Sequence, residues 1–246
     1  MEVSFRFYGR LNDFLPARRR AVRFAHRLAA PASVKDTIEA LGVPHPEVDV
    51  IIINGSPQPF TARVQSGDRV AVYPAFASIA IDSAQRVGSD RPRPATFALD
   101  VHLQKLASRL RLAGFDAIVI ADDAALADAG GDRIVLTRDV ALLKRNAVRS
   151  GHWVRHVDPD RQLAEVLQRF ELTSELEPFA RCLRCNTRVE PIAPEAVDAR
   201  VPPRTRACVH EYHWCPRCER AYWRGSHYPR LAELVARARA ASKREK

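Results

Sequence analysis

Three aspartates stand just past three apolar runs: Asp100 after FAL at 97–99, Asp123 with its neighbour Asp122 after AIVIA at 117–121, and Asp139 after RIVL at 133–136 across Thr137 and Arg138. If those runs are strands of an open parallel sheet, their carboxyl ends face one crevice, and acids leaving several strands converge there. Three carboxylates held close repel one another unless a cation sits among them. Hard oxygen donors with room for water suit Mg²⁺ or Mn²⁺, and either ion activates water for phosphodiester hydrolysis and stabilises the leaving oxygen. An aspartate after a strand is equally a good helix N-cap. Asp139 ahead of VALLKR, and one of Asp122 and Asp123, can serve in that way, so pattern alone leaves both uses open. Asp116 and Asp158, near strand edges, are weaker candidates. Lys105, Arg109 and Arg111 follow Asp100 within about three helical turns, and Arg138 precedes Asp139. Such cations either neutralise a scissile phosphate or form a solvated helix face.

The second chemical signal is RCLRCN at 181–186 with WCPRC at 214–218, which pairs Cys182 with Cys185 and Cys215 with Cys218. Each C-x-x-C is a tight turn offering two thiolates to one ion, and two such turns complete a tetrahedral Zn²⁺ site. A redox dithiol is the competing use of one pair; two pairs in one chain favour structural zinc. Four thiolates leave no open position, so this metal holds structure while the carboxylate crevice does chemistry. His210, His213 and His227 lie near enough for a ligand swap that four cysteines make unnecessary, and Cys208 is left without a role. Around the second pair, Tyr212, Trp214, Tyr222, Trp223 and Tyr228 interleave with Arg217, Arg220, Arg224 and Arg230. Aromatics between cations stack on bases while arginines hold phosphates. Arg111, Arg217, Tyr222, Trp223, Arg224, His227 and Tyr228 are therefore the candidates for binding RNA, against the alternative that the aromatics are the core of a small ribbon.

From Thr96 the pattern is strand, helix, strand, helix. FAL precedes a helix carrying Leu103, Leu106, Ala107 and Leu110, which Gly114 ends; AIVI, RIVL and WVRHV at 153–157 are further strands, with helices around 124–129, 140–148 and 160–170. That alternation predicts an α/β fold with a parallel sheet. Before it, VSFRFYG alternates, ARRRAVRFAH extends to a second strand, SVKDTIEALGV is a helix capped by Ser33, DVIIING ends in an Asn-Gly turn, and GDRVAVYPAF supplies a last strand. The polar segment DSAQRVGSDRPRPA at 82–95 is a linker.

With 246 residues, two or three domains are expected. The 39 Lys and Arg against 29 Asp and Glu give a net charge of +10, mostly from arginine, which suits a polyanionic partner. No apolar run approaches the roughly 18–20 residues of a membrane helix, and the chain opens on a strand-like pattern where a signal peptide would be apolar. A cytoplasmic protein with no membrane partner is expected.

FALDVHLQKLASRLRLAGFDA, DDAAL, RIVLTRDVALLKR, RCLRCN, WCPRC and YWRGSHY, in that order across about 96–232, resemble the PIN-like RNase family named after the C-terminal region of the Mut-seven exonuclease. The first eighty residues resemble the β-grasp fold of small sulfur-carrier proteins, an N-terminal ubiquitin-like domain that many bacterial members of that family carry. Phe76-Ala77-Ser78 stands where a carrier has its terminal Gly-Gly, so carrier chemistry is absent and the domain is a binding or structural module, with a protein as its expected partner. The resemblance implies a ubiquitin-like domain over 1–80, a linker over 81–95, a PIN-like nuclease domain over 96–172, a zinc ribbon over 173–232 and a basic tail over 233–246. It implies RNA cleavage by a metal-dependent ribonuclease, with Asp100, Asp123 and Asp139 at the family's acidic positions as Mg²⁺ or Mn²⁺ ligands, and with Asp122, Arg109, Lys105 and Arg138 in support. In Leu106-Ala107-Ser108-Arg109-Leu110-Arg111 the third position, normally basic in the family, is Ser108, so the resemblance gives no catalytic role to carry over to that side chain. The rival reading is a non-catalytic RNA-binding or partner-recruiting regulator, whose acids are caps.

Overall fold

The periods read from the sequence become, in the computed structural model, strands β1 (Glu2–Phe7) and β2 (Phe24–Arg27), helix α1 (Val34–Ala40), and strands β3 (Val50–Ile53), β4 (Ser56–Pro57) and β5 (Arg69–Tyr73). There follow β6 (Thr96–Leu99), α2 (Gln104–Leu112), β7 (Asp116–Val119), α3 (Asp123–Ala129), β8 (Ile134–Thr137), α4 (Val140–Leu143), β9 (Gly151–Trp153) and α5 (Pro159–Arg169). The last elements are β10 (Glu190–Ile192), α6 (Pro203–Arg206), β11 (Tyr212–Cys215) and β12 (Arg220–Tyr222). The structure describes residues 1–75, 86–88, 91–225, 228, 229, 232, 233, 236, 237 and 240, with 198–200 by backbone only; much of the expected linker and tail lies outside these. Among the described residues, no helix is long and apolar enough to cross a membrane. The chain forms two units, each from two segments: Met1–Pro92 with Asp122–Trp153, and Arg93–Ala121 with Val154–Lys246.

In the first unit a five-stranded sheet runs in the order β2-β1-β5-β3-β4. β1 and β5 pair in parallel and the other neighbours antiparallel. Period-two alternation buries Val3, Phe5 and Phe7 on one face of β1, where they meet Ile38 of α1 and Ile51 of β3 in one core. Ser33 caps α1 by accepting from Asp36 N at 3.0 Å. Asn54 and Gly55, at φ 51° and 90°, make the tight turn between β3 and β4.

The strand expected over 17–26 forms only from Phe24. Residues 17–19 make a 3₁₀ turn instead, and Ala21 is left-handed at φ 57°, its N–H held by Asn12 Oδ1 at 2.7 Å. The other segment of this unit supplies α3, the parallel pair β8–β9 and α4. β9 begins at Gly151, earlier than the expected 153–157, because a side chain there would stand 2.8 Å from Leu143 Cδ2 and 3.1 Å from the Val135 carbonyl. Backbone approach that close is what glycine in a strand permits. The helix expected over 140–148 ends at Leu143.

These two segments are joined by polar groups that are themselves buried. Glu47, wholly buried, accepts from Trp153 N at 2.8 Å and lies 2.9 Å from Nδ1 of the equally buried His152. His45 sits between the Glu39 carboxylate at 2.7 Å and the Val148 carbonyl at 2.8 Å. Lys144 Nζ donates to the Glu39 carbonyl at 2.8 Å, and the Phe14 ring packs 5.2 Å from that of Trp153.

In the second unit β6 and β7 pair in parallel, and α2 lays Leu106 and Leu110 toward α5 with its Leu163, Val166 and Leu167, all buried. Gly114 closes α2 at φ 101°, with its Cα so near Glu177 that an added Cβ would lie 2.3 Å from that residue's carbonyl oxygen. Strands β10, β11 and β12 form an antiparallel sheet in that order.

Candidate functional site

Each predicted acid stands at the carboxyl end of its strand and at the start of the next helical turn. Asp100, after β6, accepts from His102 N through Oδ1 at 2.8 Å. Asp122, after β7, caps α3 by accepting from Ala125 N at 2.8 Å, and Asp123 is the first residue of that helix. Asp139, after β8, caps α4 by accepting from Ala141 N at 2.7 Å, and its own N–H donates to Thr137 Oγ1 at 3.0 Å. Capping and metal binding do not exclude each other, because an ionised carboxylate has two oxygens and about four acceptor sites. Asp122, Asp123 and Asp139 are exposed, and Asp100 is half-buried. Asp100 belongs to the second unit and the other three to the first. The weaker candidates have structural tasks: Asp158 caps α5, and Asp116 accepts from Asn186 Nδ2 at 2.9 Å.

The supporting cations divide. Lys105 and Arg138 are exposed. Arg109 donates through Nε to Asp160 at 2.6 Å, across α2 and α5. Arg111, reaching from α2, donates to the carbonyls of Ala117, Leu183 and Arg184 at 2.8–2.9 Å, so its fork ties β7 to the first cysteine turn. Burial lowers the Arg111 pKa, while Cys182, Cys185 and Asp116 nearby oppose the shift.

The cysteines are brought together. Among the described residues, Cys182, Cys185, Cys215 and Cys218 are the only set of three or more His, Cys, Asp or Glu side chains whose ligand atoms all lie within 4.8 Å of one another. Both turns are built alike. Cys185 N donates to Cys182 Sγ at 3.5 Å and Cys218 N to Cys215 Sγ at 3.4 Å. The residue after each pair is left-handed, Asn186 at φ 70° and Glu219 at φ 50°. Asn186 ties its turn to β7 by accepting from Ala117 N at 3.1 Å.

The sulfurs compete for protons. Burial raises Cys185, but its hydrogen bonds with Thr187, Cys218 and Cys215 overcome it and hold the thiol down at about 6. Cys218 is pushed up to about 12, first by its bond with Cys185 and then by burial. Burial also raises Cys215, whereas Cys182 is lowered: burial opposes that shift, and the Tyr222 hydroxyl at 3.0 Å and two backbone N–H groups outweigh it. Four thiols this close cannot all ionise alone, and a bound dication removes that conflict. A tetrahedral ion with metal–sulfur bonds of about 2.3 Å spaces its sulfurs about 3.8 Å apart. The Cys185–Cys215 separation of 3.4 Å and the 4.8 Å limit for the set fit that cage.

The remaining sequence candidates lie around this cage. Tyr222 is bonded to Cys182, Trp223 packs edge-on to Tyr212 at 6.2 Å, and Arg224 lies 5.1 Å over the Tyr228 ring. Arg217, in the second turn, is exposed, and His227 lies outside the described residues. His210 and His213 are not in the metal-binding set, and Cys208 is exposed and unbridged. The buried Glu47, His45 and His152 were missed from sequence, because nothing local marks HPEVD at 45–49 as a segment that packs against residues about a hundred positions away.

Residues 95–235 match the family model described as the Mut7-C RNAse domain, and residues 1–80 match the one described as the Mut7-C ubiquitin domain. No curated protein and no solved structure matches the chain.

Proposed function

The chain belongs to the Mut7-C RNAse domain family, and from that premise we propose that it is a PIN-like, metal-dependent ribonuclease acting in the cytoplasm on RNA phosphodiester bonds, with Asp100, Asp123 and Asp139 as its catalytic acids. The observation that carries the proposal is the match over 95–235, a span in which all three acids stand at strand carboxyl ends. A bound Mg²⁺ or Mn²⁺ would supply an activated water and neutralise charge on the scissile phosphate. The chain's own part is to present carboxylate oxygens from rigid strand ends. The cap bonds of Asp100 and Asp139 each fix one oxygen and so aim the other, while Asp123 stands free of its helix's cap, which Asp122 supplies. Asp122 is a second-rank member, committed to its cap. Lys105 and Arg138 are the cations offered to the phosphate, while Arg109 and Arg111 act as positioning residues through Asp160 and the cysteine turn.

The four cysteines hold structural Zn²⁺ in this reading, making a zinc ribbon of β10–β12 whose arginines and aromatics bind the RNA strand. The ubiquitin-like domain recruits a protein partner. The test is cleavage of labelled RNA by purified, zinc-loaded protein with and without added Mg²⁺ or Mn²⁺. Cleavage that requires the added ion and is lost in Asp139→Asn with unchanged folding is expected. Cleavage without any added ion, or undiminished in Asp139→Asn, refutes the metal mechanism, and RNA binding without cleavage under either ion makes the protein a binding module.

A further inference from the structure

Beside the cysteine cage, the second unit contains a cavity of about 680 Å³. Its volume lies within the roughly 300–1,000 Å³ of small-molecule sites, which are mostly apolar with a few polar groups. Among the described residues, four stretches of chain wall it. One is the end of β12 with Tyr222, Trp223 and Arg224; another is α6 and the turn after it, with Thr205, Cys208 and Val209; the others are the end of α2 at Leu112 and the segment that carries Phe179 and Leu183.

The lining narrows what the cavity can take. Four aromatic rings face it, from Phe179, Tyr222, Trp223 and Tyr228, together with the guanidiniums of Arg181 and Arg224, and no carboxylate is among the described residues around it. Arg181 is already spent as wall, donating to the carbonyls of Gly114 and Asn186 at 3.2 and 2.9 Å. Arg224 is exposed and lies over the Tyr228 ring.

Phe179 is a second, independent sign. It sits at φ 70°, where a bulky side chain is rarely found, held by donation from its N–H to the Leu112 carbonyl at 2.9 Å. That conformation stacks its ring 4.7 Å from Tyr228, at 24° between planes. Strained backbone of this kind concentrates at ligand clamps. Gly225 completes the wall, since a Cβ there would stand 3.0 Å from the Trp223 indole nitrogen.

We propose that this cavity receives one unpaired base of an RNA strand, with Trp223 and the Phe179–Tyr228 pair as stacking faces and Arg224 holding the adjoining phosphate. Flat apolar walls fit a base of any identity, because every base has a π-face, and the exposed guanidinium of Arg224 fits the phosphate beside it. The inference rests on the RNA reading above and adds to it the part of the RNA that is gripped.

The experiment measures binding of a labelled single-stranded oligoribonucleotide, and of its abasic counterpart with the same phosphates, to full-length zinc-loaded protein without Mg²⁺ or Mn²⁺. Wild type is expected to bind the base-bearing strand about 5- to 150-fold more tightly, the worth of stacking one base. Trp223→Ala removes that preference. So does Cys208→Trp, which fills the cavity from an exposed position outside the metal cage and leaves the fold and zinc content intact. Cys208→Trp changes neither the abasic affinity nor its salt dependence, which phosphate contacts set. Equal binding of the two strands by wild type, a preference that survives in Cys208→Trp, or no binding of either strand overturns the proposal. Cleavage of the same oligonucleotide with Mg²⁺ present is scored separately: cleavage without base preference sinks the pocket and spares the ribonuclease, and base preference without cleavage does the reverse.

Discussion

Replacing Glu47 by alanine removes a carboxylate that is wholly buried and faces two groups of the segment 122–153. Trp153 N–H loses an acceptor at 2.8 Å, and His152, also wholly buried, loses the carboxylate 2.9 Å from its Nδ1. Breaking such a buried pair costs about 3–5 kcal/mol, because the group left behind has neither its partner nor water. Glu47→Gln keeps an amide oxygen for Trp153 and gives up only the charge, so at most about 1.5–3 kcal/mol is expected, the range for a hydrogen bond to a charged group. Trp153 is the natural reporter once Trp214 and Trp223, which lie in the other unit, are changed to phenylalanine. At an m-value near 2 kcal/mol/M, the urea midpoint of Trp153 fluorescence falls by about 2 M in Glu47→Ala and by less in Glu47→Gln. A fall below about 0.5 M in the alanine variant, or equal falls in both, refutes the claim that this carboxylate fastens the segments together.

Three further outcomes follow from the geometry. Asn caps a helix as well as Asp does, so Asp139→Asn should keep the melting temperature while cleavage falls on the order of 10²–10³-fold; Asp139→Ala also loses the cap and about 1 kcal/mol, read by thermal denaturation. Metal analysis should find one zinc per chain in wild type and none in Cys185→Ser, with the near-ultraviolet circular dichroism of Trp214, on β11 beside Cys215, lost as well. Gly114→Ala combines a left-handed backbone with a Cβ 2.3 Å from the Glu177 carbonyl oxygen, and should cost at least about 1–3 kcal/mol in chemical denaturation.

Signals that act within a few residues were legible from the chain alone. The Ser33 cap, the Asn54-Gly55 turn, the strands that end at acids and the two cysteine turns are local chemistry, and the structure has each of them. What escaped was set by distant partners. Trp153 looked like the start of a strand, yet β9 ends on it, because Gly151 must pass close to Val135 and His152 must reach Glu47. Arg111 advertised positive charge, but only the fold reveals that its donors go to three backbone carbonyls. The strand expected over 17–26 is confined to its end, because Asn12 draws the stretch before Phe24 into a turn through the Ala21 N–H.

Because Met1–Pro92 is completed by Asp122–Trp153, the order of synthesis matters. During translation at about 5–20 residues per second, roughly 3–12 seconds separate the emergence of Pro92 from that of Trp153. Over that interval the nascent chain displays Glu47 and His45 with no histidine or carbonyl yet made to meet them. A chaperone bound at the ribosome exit would act on this window, slow codons between the two stretches would lengthen it, and a gene split after residue 92 would leave both products with an unfinished half.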